Sequence, residues 1–335
     1  MIPSKQKAYI LKNRPAPDIT SSTLSFEEIP VEKPQKGQML VQNLLLSIDP
    51  TNRIWMEEKP SYLPPLPLGS VMRGLIGGRV LESQIEGISK GDLVVGLGGW
   101  SEYALARAGE LQPIPPGVAL ESALSVFGHI GLTAYFGLLE VGQLKPGETV
   151  FVSAAAGATG SLVGQIAKIK GCRVIGTAGT DEKVEWIKND LGFDEAFNYK
   201  TEKDYLKTLK RLAPKGIDVY FDNVGGAMLE AALAHLAMRG RVVLCGAISQ
   251  YNVKEVQGPR NYLNLLMQRG RMEGFIVLDY MPRAQEAIAD LASWMSQGKL
   301  KSKVDIVDGF QNALLALKKL FDGDHQGKLL VRLNH

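Results

Sequence analysis

A chain of 335 residues has room for about two domains of roughly 100–200 residues each, and its 45% apolar and 22% charged residues are those of a globular protein. A formal net charge of +3 offers no basic footprint for nucleic acid or for an anionic membrane surface. The opening "MIPSKQKAYI" lacks a signal-peptide core, and no run of about 18 apolar residues suggests a membrane span, so neither nucleic-acid nor membrane partners are expected.

Before Phe127 the chain carries short β-like runs without helical patterns between them: "AYIL", "QMLVQNLLLSI", "GGRVLES", "DLVVGL" and "EYALA". Lys36-Gly37 and Lys90-Gly91-Asp92 supply turn chemistry between such runs. Many short strands predict a small barrel or sandwich. The proline-rich "EKPSYLPPLPLGS" cannot be a regular strand and reads as an ordered loop.

From Phe127 the texture changes. Strand-like "TVFVSA", "RVIGTA", "IDVYFDNV" and "RVVLCGA" alternate with helical "SLVGQIAKIKG", "DEKVEWIKND" and "AMLEAALAHLAMRG". That alternation predicts an α/β domain with a parallel sheet covered on both faces. After the helical "AQEAIADLASWMSQG", a strand "KVDIVDGF", a helix "QNALLALKKLFDG" and a strand "KLLVRL" can return to the first domain.

Two cysteines, Cys172 and Cys245, are too few for a disulfide framework or a four-cysteine zinc site, and a reducing cytoplasm is the expected setting. His129, His235, His325 and His335 show no ligand spacing and read as surface or packing residues. No metal is expected.

Between the run "TVFV" and the helix "IAKIKG" lies "SAAAGATGSLVGQ", Ser153 to Gln165. Small residues there let something approach the backbone. In a dinucleotide-binding unit the first strand turns tightly into a helix whose N-terminus meets the pyrophosphate. Here the fingerprint is Ala155-x-Gly157-x-x-Gly160, and Gly164 one turn on is expected to let the helix pack closely on the sheet. The alternative is a merely tight strand-to-helix turn.

The second strand separates the two nicotinamide cofactors. An NAD site usually ends that strand with an acidic residue on the ribose 2′-OH. This one ends Gly176-Thr177-Ala178-Gly179-Thr180, and Asp181 reads as the N-cap of the next helix. Lys183 falls in that helix's first turn, against the dipole, which a nearby 2′-phosphate explains and a solvated lysine explains less well. NADPH rather than NADH is expected.

From Asp49 to Lys328 the chain resembles the zinc-independent medium-chain dehydrogenases/reductases, in the branch of prostaglandin, alkenal and other double-bond reductases. The motifs are "LSIDP", "AAAGATGSLVGQIAKIKGC", "AGTDEKV", "GFDEAFNYK", "YFDNVGG", "CGAISQY" and "MEGFIV". The resemblance implies a GroES-like, mostly β catalytic domain over 1–126 and 300–335, a doubly wound Rossmann domain with a parallel sheet over 127–299, and an active site in the cleft between them. It implies that Gly157, Ala158, Thr159 and Gly160 face the pyrophosphate, while Lys183 and Tyr199 hold the 2′-phosphate. Asn223 stands at the end of the fourth strand. Cys245, Ile248 and Tyr251 belong to the loop beside the nicotinamide, with Phe275 and Val277 completing that pocket. His325 replaces an Asn that touches the cofactor in relatives. Tyr62 matches a tyrosine that contacts the substrate carbonyl in some relatives; its alternative is a loop tyrosine packed on prolines. A second tyrosine found in others is here Met267. Relatives are commonly homodimers joined through the edges of their Rossmann sheets, where "RMEGFIV" is the last strand.

Reduction of a simple ketone puts charge on one oxygen, which zinc-dependent relatives stabilise through the metal. Hydride addition to the β-carbon of an enone gives a delocalised enolate, for which Tyr62 or the cofactor's ribose 2′-OH suffices as donor. Trp55, Met56, Leu63, Pro65 and Met267 are candidate neighbours of a small hydrophobic α,β-unsaturated carbonyl substrate. The expected activity is NADPH-dependent reduction of 2-alkenals and enones. A quinone reductase on the same fold and a non-catalytic NADPH-binding sensor are the alternatives.

Overall fold

The computed structural model describes residues 2–16, 18–59 and 61–334; Pro60 and His335, both read above, lie outside them. The chain divides into two units, Met1–Leu124 with Val304–His335, and Ser125–Lys303.

The first unit opens with β1 (Lys5–Leu11) paired antiparallel to β2 (Leu24–Pro30). Then come β3 (Gln38–Ser47), the five-residue helix α1 (Thr51–Trp55), β4 (Leu75–Ser83), β5 (Leu93–Leu97), β6 (Tyr103–Arg107), β7 (Leu111–Pro113) and the short α2 (Leu120–Ala123). Gly37 and Gly91 take left-handed backbone, φ 79° and 98°, as the turn reading of Lys36-Gly37 and Lys90-Gly91-Asp92 requires. The stretch 61–70 is irregular backbone and turns. Met39, Leu46, Ile76 and Trp100 bury one core.

In the second unit α3 (His129–Phe136) precedes β8 (Thr149–Val152), α4 (Ala158–Ile169), β9 (Arg173–Ala178), α5 (Asp181–Asn189), β10 (Glu195–Asn198) and α6 (Tyr205–Leu212). After these come β11 (Ile217–Asp222), α7 (Gly226–Leu233), β12 (Leu236–Leu244), α8 (Leu263–Gln268), β13 (Arg271–Gly274) and α9 (Ala284–Ser296). All pairings are parallel, in the order β10-β9-β8-β11-β12-β13. The chain runs outward from β8, then returns to lay β11 on its other side, so β8 and β11 flank the switch point of a doubly wound sheet. Alternate residues feed opposite faces. Val150, Val152 and Phe221 enter one core with α3, α4 and α9, while Phe151 and Tyr220 enter the other, their rings stacked 4.9 Å apart.

One expected helix is corrected. "AMLEAALAHLAMRG" is helical only to Leu233, and "LAMRG" already belongs to β12, where Leu236 pairs with Ile217. Arg239 takes φ 61° and the register shifts between Ile217 and Val219, an irregularity that a pairing distant in sequence imposes.

The final segment, β14 (Val304–Asp308), α10 (Ala313–Asp322) and β15 (Lys328–Arg332), belongs to the first unit. There β14 runs parallel to β15, and β15 antiparallel to β3. The result is α/β: a mostly β unit and a doubly wound parallel sheet.

Candidate functional site

In the second unit, β8 ends at Val152 and the next residues turn back under α4. The Ser153 N–H donates to the Phe221 carbonyl (3.2 Å), and that of Ala155 to the Thr177 carbonyl (2.8 Å), tying the turn to strands on either side. Ala154 is left-handed at φ 49°. Gly160 lies so close to this turn that a Cβ there would stand 2.4 Å from the Ala154 carbonyl oxygen. Gly157 caps α4 without any side-chain hydrogen bond. A twelve-residue helix therefore starts with backbone N–H groups that no side chain has claimed, which fits a pyrophosphate.

Gly164 serves a different purpose from the one expected. A Cβ there would come within 1.9 Å of the Phe193 ring, and one on Gly176 within 2.8 Å of the same ring. The phenyl group is wedged between α4 and β9, and the two glycines make its space. Close helix-to-backbone approach belongs to Gly160.

At the end of β9 the N-cap is also corrected. Thr180, extended at φ −144° and ψ 160°, caps α5 by accepting from the Lys183 N–H. Asp181 is the first helical residue, and its Oδ1 accepts from Asn198 Nδ2 at 2.8 Å. Tyr199 and Lys200, following β10, fold onto Gly179. A Cβ on that glycine would lie 3.2 Å from Tyr199 Oη and 3.3 Å from Lys200 Cε. The strand end thus gathers a hydroxyl cap, Tyr199 and Lys200, with Lys183 in the first turn of α5. Sequence reasoning passed over Lys200, although it is the last residue of the quoted "FNYK".

Asp222, the last residue of β11, is fully buried. Its Oδ1 accepts from the Tyr220 hydroxyl (2.7 Å) and from the N–H groups of Val224 (2.9 Å) and Gly225 (2.8 Å). Burial outweighs these donors and raises its pKa above the usual carboxylate range. Its carbonyl accepts from the N–H groups of Cys245 and Gly246, both at 3.0 Å. Asn223 donates from Nδ2 to the Ser153 carbonyl at 2.8 Å, while its own carbonyl accepts the Ile248 N–H at 3.2 Å. Tyr251 Oη accepts from the Ala247 N–H at 3.0 Å. Ser153, Asn223, Cys245, Ile248 and Tyr251 therefore form one knot at the switch point. Phe275 packs its ring toward Gly137, where a Cβ would be 2.5 Å away. Val277 opens the 3₁₀ turn that follows.

In the first unit, Tyr62 is 40% exposed and its hydroxyl is hydrogen-bonded to that of Thr51, the first residue of α1. The Arg73 guanidinium donates to the Pro64 carbonyl at 3.1 Å and sits 5.8 Å over the Trp55 ring. Met56, expected near a substrate, is 0% exposed and part of the core. It directly follows α1, and Trp55, the last residue of that helix and expected near the same substrate, is buried in the same core at 6% exposed. Leu63 packs partly on the same core and Pro65 is exposed. Met267, on α8 of the second unit, is 67% exposed. His325 lies in the turn between α10 and β15.

An uncapped helix start at the switch point of a doubly wound sheet, with Lys183 in α5 and Lys200 after β10, fits an NADP(H)-dependent oxidoreductase. Residues 7–114 match the family described as N-terminal domain of oxidoreductase, and residues 158–297 that described as zinc-binding dehydrogenase. The chain is 41% identical to 2-alkenal reductase (NADP(+)-dependent) of Nicotiana tabacum, covering 98% of this chain and 97% of that one. It is 42% identical to prostaglandin reductase 1 of Rattus norvegicus, covering 92% and 94%. The crystal structure of CurA from Vibrio vulnificus in complex with NADPH superposes with a TM-score of 0.93 at 38% identity, covering 98% and 99%. The chain belongs to the medium-chain dehydrogenases/reductases, in their zinc-independent reductase branch. Among the described residues, no group of three or more His, Cys, Asp or Glu could hold a metal ion.

Proposed function

We propose that this enzyme reduces the carbon–carbon double bond of small hydrophobic α,β-unsaturated aldehydes and ketones. The carrying observation is the Tyr62 hydroxyl, held by Thr51, with the Arg73 guanidinium on the carbonyl of Pro64 in the same loop. NADPH, when bound, supplies the hydride that adds to the β-carbon. In this reading Gly157, Ala158, Thr159 and Gly160 receive the pyrophosphate, and Lys183, Tyr199 and Lys200 receive the 2′-phosphate. Asn223, Cys245, Ile248, Tyr251, Phe275 and Val277 shape the nicotinamide end, and His325 takes the remaining cofactor contact. Tyr62 donates a hydrogen bond to the substrate oxygen as it becomes an enolate oxygen, so its interaction strengthens as charge develops. Water can return the proton to the α-carbon, so the reading requires no general acid. The activities printed for the tobacco and rat relatives support this choice of substrate.

The test is NADPH consumption with an alkenal, an enone and a quinone, in the wild type and in Tyr62→Phe. We expect turnover of the first two, and a fall in kcat/KM of roughly 10- to 100-fold in the variant, about 1.4–2.7 kcal/mol. Quinone as the sole substrate, or no turnover at all, rejects the reading. Unchanged kinetics in Tyr62→Phe leaves the substrate class and removes Tyr62 from it.

Homodimer formation is part of the same reading. β13 ends the parallel sheet, and nearby α8 exposes Leu263, Leu266 and Met267, an edge and an apolar patch that a second copy can cover. Sedimentation at micromolar concentration checks this. The two free cysteines support a reducing cytoplasm.

A further inference from the structure

Tyr62 sits in irregular backbone at the surface, and a loop tyrosine left to itself can swing its ring. What holds it is eleven residues away in sequence. Thr51 follows Asp49-Pro50, and this short segment is fixed from several sides. The Asp49 carboxylate accepts from Lys328 Nζ at 2.8 Å and from the Ser47 hydroxyl. Lys328 also donates to the Ile48 carbonyl at 2.8 Å. The Asp49 N–H donates to Asn52 Oδ1 at 2.8 Å, and Asn52 Nδ2 reaches the Arg73 carbonyl at 3.4 Å. Thr51 is thus a rigid post beside a mobile type of residue, and the post ends in a hydroxyl.

We propose that Thr51 is a positioning residue for the reduction: its hydroxyl donates to the Tyr62 oxygen, leaving the Tyr62 O–H for the substrate carbonyl. The inference rests on Tyr62 as the donor in the proposed function. Of the two possible directions of this bond, the opposite one would spend the phenol proton on Thr51 and leave none for the substrate. Donation into the phenol oxygen polarises its O–H and strengthens the outgoing hydrogen bond. A donor held in place before substrate arrives needs no reorganisation when charge develops.

Thr51→Val keeps the shape and removes the hydroxyl; Thr51→Ser keeps the hydroxyl. For Thr51→Val we expect kcat to fall by about tenfold, with KM and NADPH affinity changing less than about twofold. Thr51→Ser should stay within about threefold of wild type in kcat, and Thr51→Val/Tyr62→Phe should be no slower than Tyr62→Phe alone, because both changes remove one device. Thermal melts on all variants report on folding. If Tyr62→Phe is slow while Thr51→Val is not, Thr51 has no such role and the donor reading stands. If the two losses multiply, or Ser is as impaired as Val, the inference is overturned. If Tyr62→Phe is unimpaired, the donor reading falls first and takes the inference with it.

Discussion

Lys328 and Asp49 form an ion pair inside the first unit, Nζ to Oδ1 at 2.8 Å, with side chains only 2% and 6% exposed. Burial holds the Lys328 pKa below its usual value even though Asp49 pulls it the other way. The pair joins β15 to the residues that precede α1, so the end of the chain braces the segment carrying Thr51. Lys328→Ala strands a buried carboxylate, and a loss of about 3–5 kcal/mol in stability is expected. Urea unfolding measures it. A loss below about 1 kcal/mol would mean that Asp49 finds water or another donor when the lysine is gone.

The two glycines of α4 predict opposite phenotypes. Gly160→Ala drives a Cβ to 2.4 Å from the Ala154 carbonyl oxygen, so the turn proposed to receive the pyrophosphate must move. NADPH affinity should fall by roughly tenfold or more, about 1.4 kcal/mol. Gly164→Ala instead collides with the Phe193 ring at 1.9 Å, which is overpacking between α4 and β9 and costs about 1–3 kcal/mol of stability. Its NADPH affinity should change less than that of Gly160→Ala. Fluorescence titration and urea melts on both variants separate the two.

Much of this was legible in the sequence where a local pattern decides. The run "TVFV" before "SAAAGATG" specifies strand, turn and helix because absent side chains are themselves the signal. Positions settled by partners far along the chain were not legible. "LAMRG" has helix-forming residues, and only pairing of Leu236 with Ile217 makes it a strand. Thr180 and Asp181 are neighbours and both good caps; backbone geometry chose the first. Met56 and Trp55 both read as pocket-lining candidates, yet both are buried in one core, at 0% and 6% exposed, because a helix of five residues has no period to show what faces that core. Thr51 and Tyr62 meet across an irregular loop, and no motif predicts that contact. Lys183 was legible from its place in the first turn after β9, Tyr62 and Tyr199 were named from resemblance, and Lys200 emerged from its approach to Gly179.

Cofactor choice follows from the end of β9. Thr180 is the cap and Asp181 Oδ1 accepts from Asn198, and in the proposed reading a 2′-phosphate there meets Lys183 and Lys200. NADPH should bind more tightly than NADH. Lys183→Ala and Lys200→Ala should each weaken NADPH by roughly tenfold or more, since a charge-assisted contact is worth about 1.5–3 kcal/mol. NADH affinity should be nearly untouched. Equal wild-type affinities for the two cofactors would refute this account, and an inert Lys200→Ala would confine it to Lys183.

Cys245 gives the last prediction. Its thiol is pushed up to about 12 by burial and, secondarily, by the nearby Asp222 carboxylate, from an ordinary value of 9.0. By exposed surface Cys245 is half-buried, whereas Cys172 is buried and its pKa is raised as well. Only the thiolate attacks soft electrophiles, so at pH 8 native protein should react slowly with a disulfide reagent such as dithionitrobenzoate. Urea-unfolded protein should react at both of its two cysteines. This matters for an enzyme whose proposed substrates are themselves thiol-seeking enals. The linkage has a definite sign. Because the folded thiol holds its proton more tightly than the unfolded one, its contribution is complete below pH 9 and is lost as pH rises from 9 toward 12. Cys245→Ala should therefore lose less stability between pH 8 and pH 10.5 than the wild type does. Rapid stoichiometric modification of the native protein at pH 8, suppressed in Cys245→Ala, would show a thiolate already present and overturn the assignment.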